Sequence, residues 1–150
     1  MKHPWAALLV VLALCASVPQ LSAQGQQSSR DPNTGSELRQ NYPNPFNPET
    51  RIAFSIGGYP NCVNPSRQYR VSLRIFNVIA QLVALPVLQG GAAGVAGGQP
   101  LHGVLLTCGE YTAYWDGKVQ RTGREAASGV YVYRLEINGN AVTRKMMIRK

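Results

Sequence analysis

Residues 131–148 read as two strands folded back on a single turn, and that pattern restricts the chain more than any other. Tyr131, Tyr133, Leu135 and Ile137 alternate with Val132, Arg134 and Glu136; Asn138-Gly139 follows, and Val142, Met146 and Ile148 then fall on one side of the next run. An Asn-Gly pair accepts the positive φ angles of a type I′ turn, so Ala141 to Arg149 is expected to return antiparallel to the preceding strand. The same period of two recurs upstream. Ile52, Phe54 and Ile56 alternate with Arg51, Ala53 and Ser55, and Val71, Leu73 and Ile75 alternate with Arg70, Ser72 and Arg74. Tyr111, Ala113 and Trp115 lead into Asp116-Gly117, while Leu82 to Val87 reads as a further strand reached by the short turn Asn77 to Gln81. Each such run has one dry face. No segment sustains a helical period, so the expected class is all-β, an antiparallel β-sandwich. Its tyrosines and Trp115 are assigned to the core in preference to a ligand-stacking face.

Residues 1–23 have the layout of a signal peptide: Lys2 supplies positive charge, Ala6 to Ala16 an apolar run, and Leu21-Ser22-Ala23 a small-residue context for cleavage after Ala23. The apolar run is too short for a stable membrane span. Cys15 is a poor lipid-attachment site because Leu14 is large where a small residue is preferred. Residues 24–37 hold no apolar stretch to bury and are expected to be a disordered linker. Residues 38–150 then form one domain.

The net charge of +8 at pH 7 favours anionic partners, and an exported chain meets envelope glycans before nucleic acid. With Cys15 in the leader, Cys62 and Cys108 form an even pair in an oxidising compartment, so a disulfide is expected, contributing about 4 kcal/mol on the chain-entropy view. They can meet only if two strands, not three, cross the sandwich between them. Leu101 to Thr107 should therefore be loop or a short edge piece.

Signals for chemistry are weak. His102 is an isolated loop histidine, and Asp116 is a turn former. Asp31, Asn33 and Gly35 lack the remaining ligands of a calcium loop, and the Gly- and Ala-rich Gln89 to Pro100 lacks the spacing of a phosphate loop. No catalytic group, cofactor or metal is expected.

Tyr42 to Pro48, YPNPFNP, contains three prolines and cannot be a central strand. Tyr42 and Phe46 are expected to plug against the domain while the prolines guard a sheet edge. Four phrases, LRQNYPNPFNPETRIAFSI, VSLRIFNVIAQLVALPV, GEYTAYWDGK and ASGVYVYRLEINGNAVTRKMMIRK, make residues 38–150 resemble the type A C-terminal sorting domain of the type IX secretion system. That domain is similar to the immunoglobulin-like domain of the flagellar hook-capping protein. The resemblance implies an immunoglobulin-like sandwich of about seven strands. It also implies a terminal sorting signal, Lys145, Met146, Met147, Ile148, Arg149 and Lys150, read by an outer-membrane translocon or its shuttle protein. In that reading Lys145 and Lys150 act as point charges, Met146 and Ile148 fill pockets of the partner, and an exposed edge adds to the partner's sheet. The chain departs from the family pattern at Ala80, where glycine is usual, and in two long loops, Gly57 to Gln68 and Gln89 to Cys108. It also departs in having only the linker where a large cargo usually precedes the domain.

The expected function is that of a non-catalytic exported module, passing through the periplasm to the cell surface or medium under direction of its terminal segment. The alternative is a stand-alone envelope module, structural or binding an acidic glycan through the Arg70 and Arg74 face, or a remnant of a larger secreted protein.

Overall fold

The computed structural model describes residues 29–90 and 94–150. The expected signal peptide, its cleavage after Ala23 and residues 24–28 of the expected linker lie outside the described residues. Ten strands are formed among these residues: β1 (Ser29–Asp31), β2 (Ser36–Leu38), β3 (Thr50–Ile56), β4 (Tyr69–Phe76), β5 (Leu82–Ala84), β6 (Val87–Leu88), β7 (Val104–Leu106), β8 (Gly109–Trp115), β9 (Gly129–Ile137) and β10 (Asn140–Ile148). They make two five-stranded antiparallel sheets, one ordered β1-β2-β3-β8-β6 and the other β10-β9-β4-β5 with β7 also on β4. The chain is all-β and sandwich-like, with no α-helix among the described residues.

Alternation built this body as anticipated. Ile52, Phe54, Tyr111, Ala113 and Trp115 from one sheet, and Val71, Leu73, Ile75, Tyr133, Leu135 and Ile137 from the other, are buried in one shared core. Phe54 stacks on Tyr111 at 5.7 Å, and Trp115 meets Phe46 and Tyr131 edge-on at 5.5 and 5.7 Å. These five rings are thus interior filling, each pair adding a directional preference to its buried area. The β9–β10 turn is the expected hairpin, with Asn138 and Gly139 both at positive φ. Leu101 to Thr107 contributes only the short β7, paired along the start of β4, and Cys62 and Cys108 are joined with their Cα atoms 5.9 Å apart.

Three expectations need correction. Residues 29–37, taken as disordered linker, form most of the β1–β2 hairpin, which pairs through Glu37 and Leu38 with β3. Hydrogen bonding replaces apolar alternation there: the Asp31 carboxylate accepts from the Asn33 amide at 2.9 Å and the Thr34 hydroxyl at 2.8 Å, and the Thr34 and Ser36 hydroxyls lie 2.6 Å apart. Gly35 closes the turn at positive φ, where a β-carbon would collide with the Gly58 backbone. Second, Leu82 to Val87 is two strands, β5 in one sheet and β6 in the other. Pro86 has no N–H for a ladder, and Gln120 holds the crossing by donating to the Val83 carbonyl and accepting from the Leu85 amide. The hairpin, this division and β7 raise the expected count of about seven to ten. Third, Phe46 is buried but Tyr42 is 80% exposed, so only one of the two aromatic plugs enters the core.

Candidate docking surface at the C-terminal strand

The segment 145–150 takes in the end of β10, the outermost strand of its sheet, and the two residues after it. Register with β9 divides its side chains. Met146 and Ile148 point inward and are each 2% exposed, whereas Lys145, Met147, Arg149 and Lys150 are exposed. The assignment of Met146 and Ile148 as fillers of a partner's pockets is therefore corrected: this domain's own core takes them, because the strand period that places Lys145 and Met147 outside places their neighbours inside.

The backbone edge is occupied as well. From the two-residue turn onward, alternate residues of β10 aim N–H and C=O away from β9. At Met147 both groups are taken, the amide donating to Asn44 Oδ1 at 3.0 Å and the carbonyl accepting from the Phe46 amide at 3.0 Å. The Arg149 amide donates to the Phe46 carbonyl at 3.1 Å, and Gln40 Nε2 donates to the Lys145 carbonyl at 3.0 Å. The proline-rich strap 42–48 thus lies along the final residues in a parallel bridge, Phe46 beside Ile148. Edge guarding by this strap was expected. Its consequence is that an added partner strand finds the border covered from Lys145 to Arg149.

The strap is fixed from beneath. Phe46 sits against Trp115, and a β-carbon on Gly117 would strike the Pro48 carbonyl, so the Trp115-Asp116-Gly117 turn must end in glycine for the strap to lie close. Asp116 accepts from the Lys118 amide at 3.0 Å, the role of a turn former. Asn41 Nδ2 donates to the Pro43 carbonyl and to Thr50 Oγ1, both at 3.0 Å, and Tyr42 exchanges two backbone bonds with Arg51. Beneath Asn41, the Tyr133 hydroxyl donates to the Arg39 carbonyl at 2.8 Å and accepts from the Asn41 amide at 3.1 Å. Burial pushes the Tyr133 phenol up to about 12, against weaker opposing effects of the Asn41 amide and Arg144. Its hydroxyl is a structural tie, not an acid at neutral pH.

Lys150 is tied down at the other side of the tail. Its amide donates to Ser128 Oγ at 3.1 Å, and its ammonium lies 2.8 Å from Glu125, whose carboxyl it holds below the ordinary range. That places Lys150 in a contact with the domain itself, whereas Lys145 carries no such pairing in the described structure. Arg70 and Arg74 share the outer face of β4 with Arg134 of β9, and Arg74 and Arg134 stand directly opposite each other. Glu136 reaches both, at 3.2 and 3.8 Å, which offsets the repulsion of like charges across a strand pair. His102 follows Leu101, itself buried, in an irregular stretch before β7.

Among the described residues no group of His, Cys, Asp and Glu could hold a metal ion, and no helix is long and apolar enough to cross a membrane. Buried polar side-chain atoms there all have partners. Sequence reasoning located the terminal segment and the strap but not their contact with each other. The signal for that contact was available in part: three prolines mark an edge guard, and a final alternating strand is an edge needing one. Comparisons with protein-family models, with curated proteins and with solved structures find no match to this chain.

Proposed function

We propose that this chain is a non-catalytic, exported immunoglobulin-like module whose terminal segment, residues 145–150, is recognised by an outer-membrane type IX translocon or its shuttle protein for secretion or surface attachment. The observation that carries the reading is the way β10 ends. Met146 and Ile148 anchor it in the core, the strap locks its backbone, and Lys145, Met147 and Arg149 are left as a fixed outward row. Recognition then works through side chains on a pre-ordered strand, with little ordering cost on binding, more than through strand addition. The immunoglobulin-like assignment draws support from the two-sheet body and from Tyr131, whose hydroxyl donates at 2.9 Å to the carbonyl of Ala127 four residues upstream, in the manner of a tyrosine corner.

The test is a secreted reporter fused ahead of residues 24–150 in a cell with a type IX translocon. Deleting 145–150 also removes two buried side chains, so the informative variant is K145S/M147S/R149S, which leaves the core intact. Surface delivery should fall to the level of the deletion. Delivery at the wild-type level by a folded triple variant would refute the reading.

A second reading, binding of an acidic envelope glycan, is favoured by Arg70, Arg74 and Arg134 on one sheet face. Retention on an acidic polysaccharide that is lost on raising salt is its expected signature.

A further inference from the structure

The outer face of the β10-β9-β4-β5 sheet divides into a charged part and an apolar part. Cross-strand register places Leu82 beside Phe76, Phe76 beside Val132, Val132 beside Lys145, and Val130 beside Met147. An apolar strip therefore crosses β5, β4 and β9 at the end of the sheet where the tail leaves and meets Lys145 on β10, with the Val130–Met147 pair carrying the apolar surface onto β10 beside it. Leu82 is 48% exposed and Met147 44%, and the turn after β4 adds Val78 and Ile79 at 74% and 69%. Aliphatic residues scattered singly on a surface need no explanation, but a continuous row of them does. The next rows along the face hold Arg74 opposite Arg134 and Ser72 opposite Glu136. Glu136 is the one carboxylate on the outward positions of these strands, and it lies between the two arginines.

We infer that this strip is a docking surface for a protein bearing a matching apolar patch bordered by carboxylates. Charge complementarity selects that occupant: Arg74, Arg134, Lys145 and Arg149 border the strip, and Glu136, shared by the first two, offsets one of these four positive charges. Such a border steers an acidic partner to the face and rejects a basic one. The face is sheet-like, with Phe76 and Val132 half-buried among their neighbours, which suits a flat partner. An interfacial membrane anchor instead buries its apolar face about 5–10 Å deep in the headgroup region. The inference rests on the docking reading above and extends it, adding to Lys145 and Met147 of the tail three residues far from it in sequence, Val78, Ile79 and Leu82.

The experiment therefore alters only those three. V78S/I79S/L82S, checked for the Cys62–Cys108 bond and for an unchanged denaturation midpoint, is compared with wild type and K145S/M147S/R149S in the reporter assay. Delivery reduced about tenfold or more, the scale of losing a hot-spot cluster, is expected. If the strip variant is delivered normally while the tail variant fails, the strip is not a docking surface and the tail reading stands. If neither variant changes delivery, both fall. Wild-type binding to phosphatidylglycerol vesicles that the strip variant loses would overturn the inference in favour of a membrane. Concentration-dependent dimerisation of wild type, abolished in the strip variant with delivery unchanged, would overturn it in favour of a second copy of this chain.

Discussion

The two ends of the strands are secured by different physics. At the end where β3 begins and β10 finishes, a web of short polar contacts and one buried ring does the fastening: the strap, the Trp115-Asp116-Gly117 turn, Tyr133 and the Lys150 contacts. At the other end, where β3 gives way to the loop 57–68 and β8 begins, a covalent bond between Cys62 and Cys108 performs that task. Loop 57–68 is largely exposed and has little apolar material to pack. A cross-link suits such an end because it acts on the unfolded chain's entropy and requires no core. The strap end, by contrast, is held by one buried ring and many separate hydrogen bonds, each of which contributes about 0.5–1.5 kcal/mol.

The largest effect that separates the two ends comes from removing the covalent one. C62S/C108S should lower stability by about 4 kcal/mol, since the closed loop spans 46 residues, while leaving reporter delivery intact under conditions where the domain stays folded. Urea unfolding with and without reductant measures it. A loss under about 1 kcal/mol would mean that the loops at this end are held by packing after all.

Phe46→Ala attacks the opposite end. Loss of a buried phenyl ring costs about 3 kcal/mol or more, and here it also frees the border of β10. The variant should therefore combine a lower denaturation midpoint with faster hydrogen exchange at the Met147 and Arg149 amides, whose acceptors are Asn44 and Phe46. Equal exchange at both amides in variant and wild type would break the account of the strap as edge guard.

Tyr133→Phe is a smaller test of the same end. It leaves the Arg39 carbonyl without its donor and the Asn41 amide without its acceptor, at a cost of about 1–3 kcal/mol. It also has a pH signature. With the folded phenol raised to about 12 and the unfolded one near its ordinary value, the folded state holds the proton more tightly, so stability is complete below about pH 10 and falls as pH rises toward 12. The difference corresponds to about 2–3 kcal/mol over that window, and Tyr133→Phe should lose this part of the slope, keeping only the smaller part from Tyr114, whose phenol its hydrogen bond to Glu49 also raises. Persistence of the full slope in the variant would assign it to another group.

How much of this was legible depends on which force made each element. Strands with one apolar face, the Asn138-Gly139 turn and the cysteine pairing could be read directly, because period two, turn chemistry and strand parity are local or countable. The β1–β2 hairpin could not, since Asp31, Thr34 and Ser36 build it from hydroxyl and carboxylate bonds that leave no hydrophobic pattern. Pro86 was a readable warning that Leu82 to Val87 is not one strand, but which sheet each half joins is decided by Gln120 from another part of the chain. In the candidate site, period two already implied that Met146 and Ile148 share a face with Val142. Their burial at home and the strap over their backbone are tertiary facts.

The smallest expected effect concerns two turn residues with positive φ, one at each end. Ala80 has φ 60° and Asn138 has φ 50°. An L-residue in this region costs about 1–2 kcal/mol, asparagine being better suited to it than alanine. Asn138 also uses its side chain, Oδ1 accepting from the Arg70 amide at 2.9 Å. In the Ala80 turn that service falls to Asn77, whose Oδ1 accepts from the Ile79 and Gln81 amides, so the Ala80 side chain adds a methyl group and strain, while its amide bond to the Asn77 carbonyl is one that glycine keeps. Ala80→Gly should raise stability by about 0.5–1 kcal/mol, the relief of strain less glycine's extra unfolded freedom. Asn138→Gly, with a smaller φ relief and a lost hydrogen bond, should be neutral or destabilising. Paired denaturant curves decide the matter: stabilisation by both substitutions would show that the Asn138 side-chain bond carries no net weight, and stabilisation by neither would show that these turns relax without glycine.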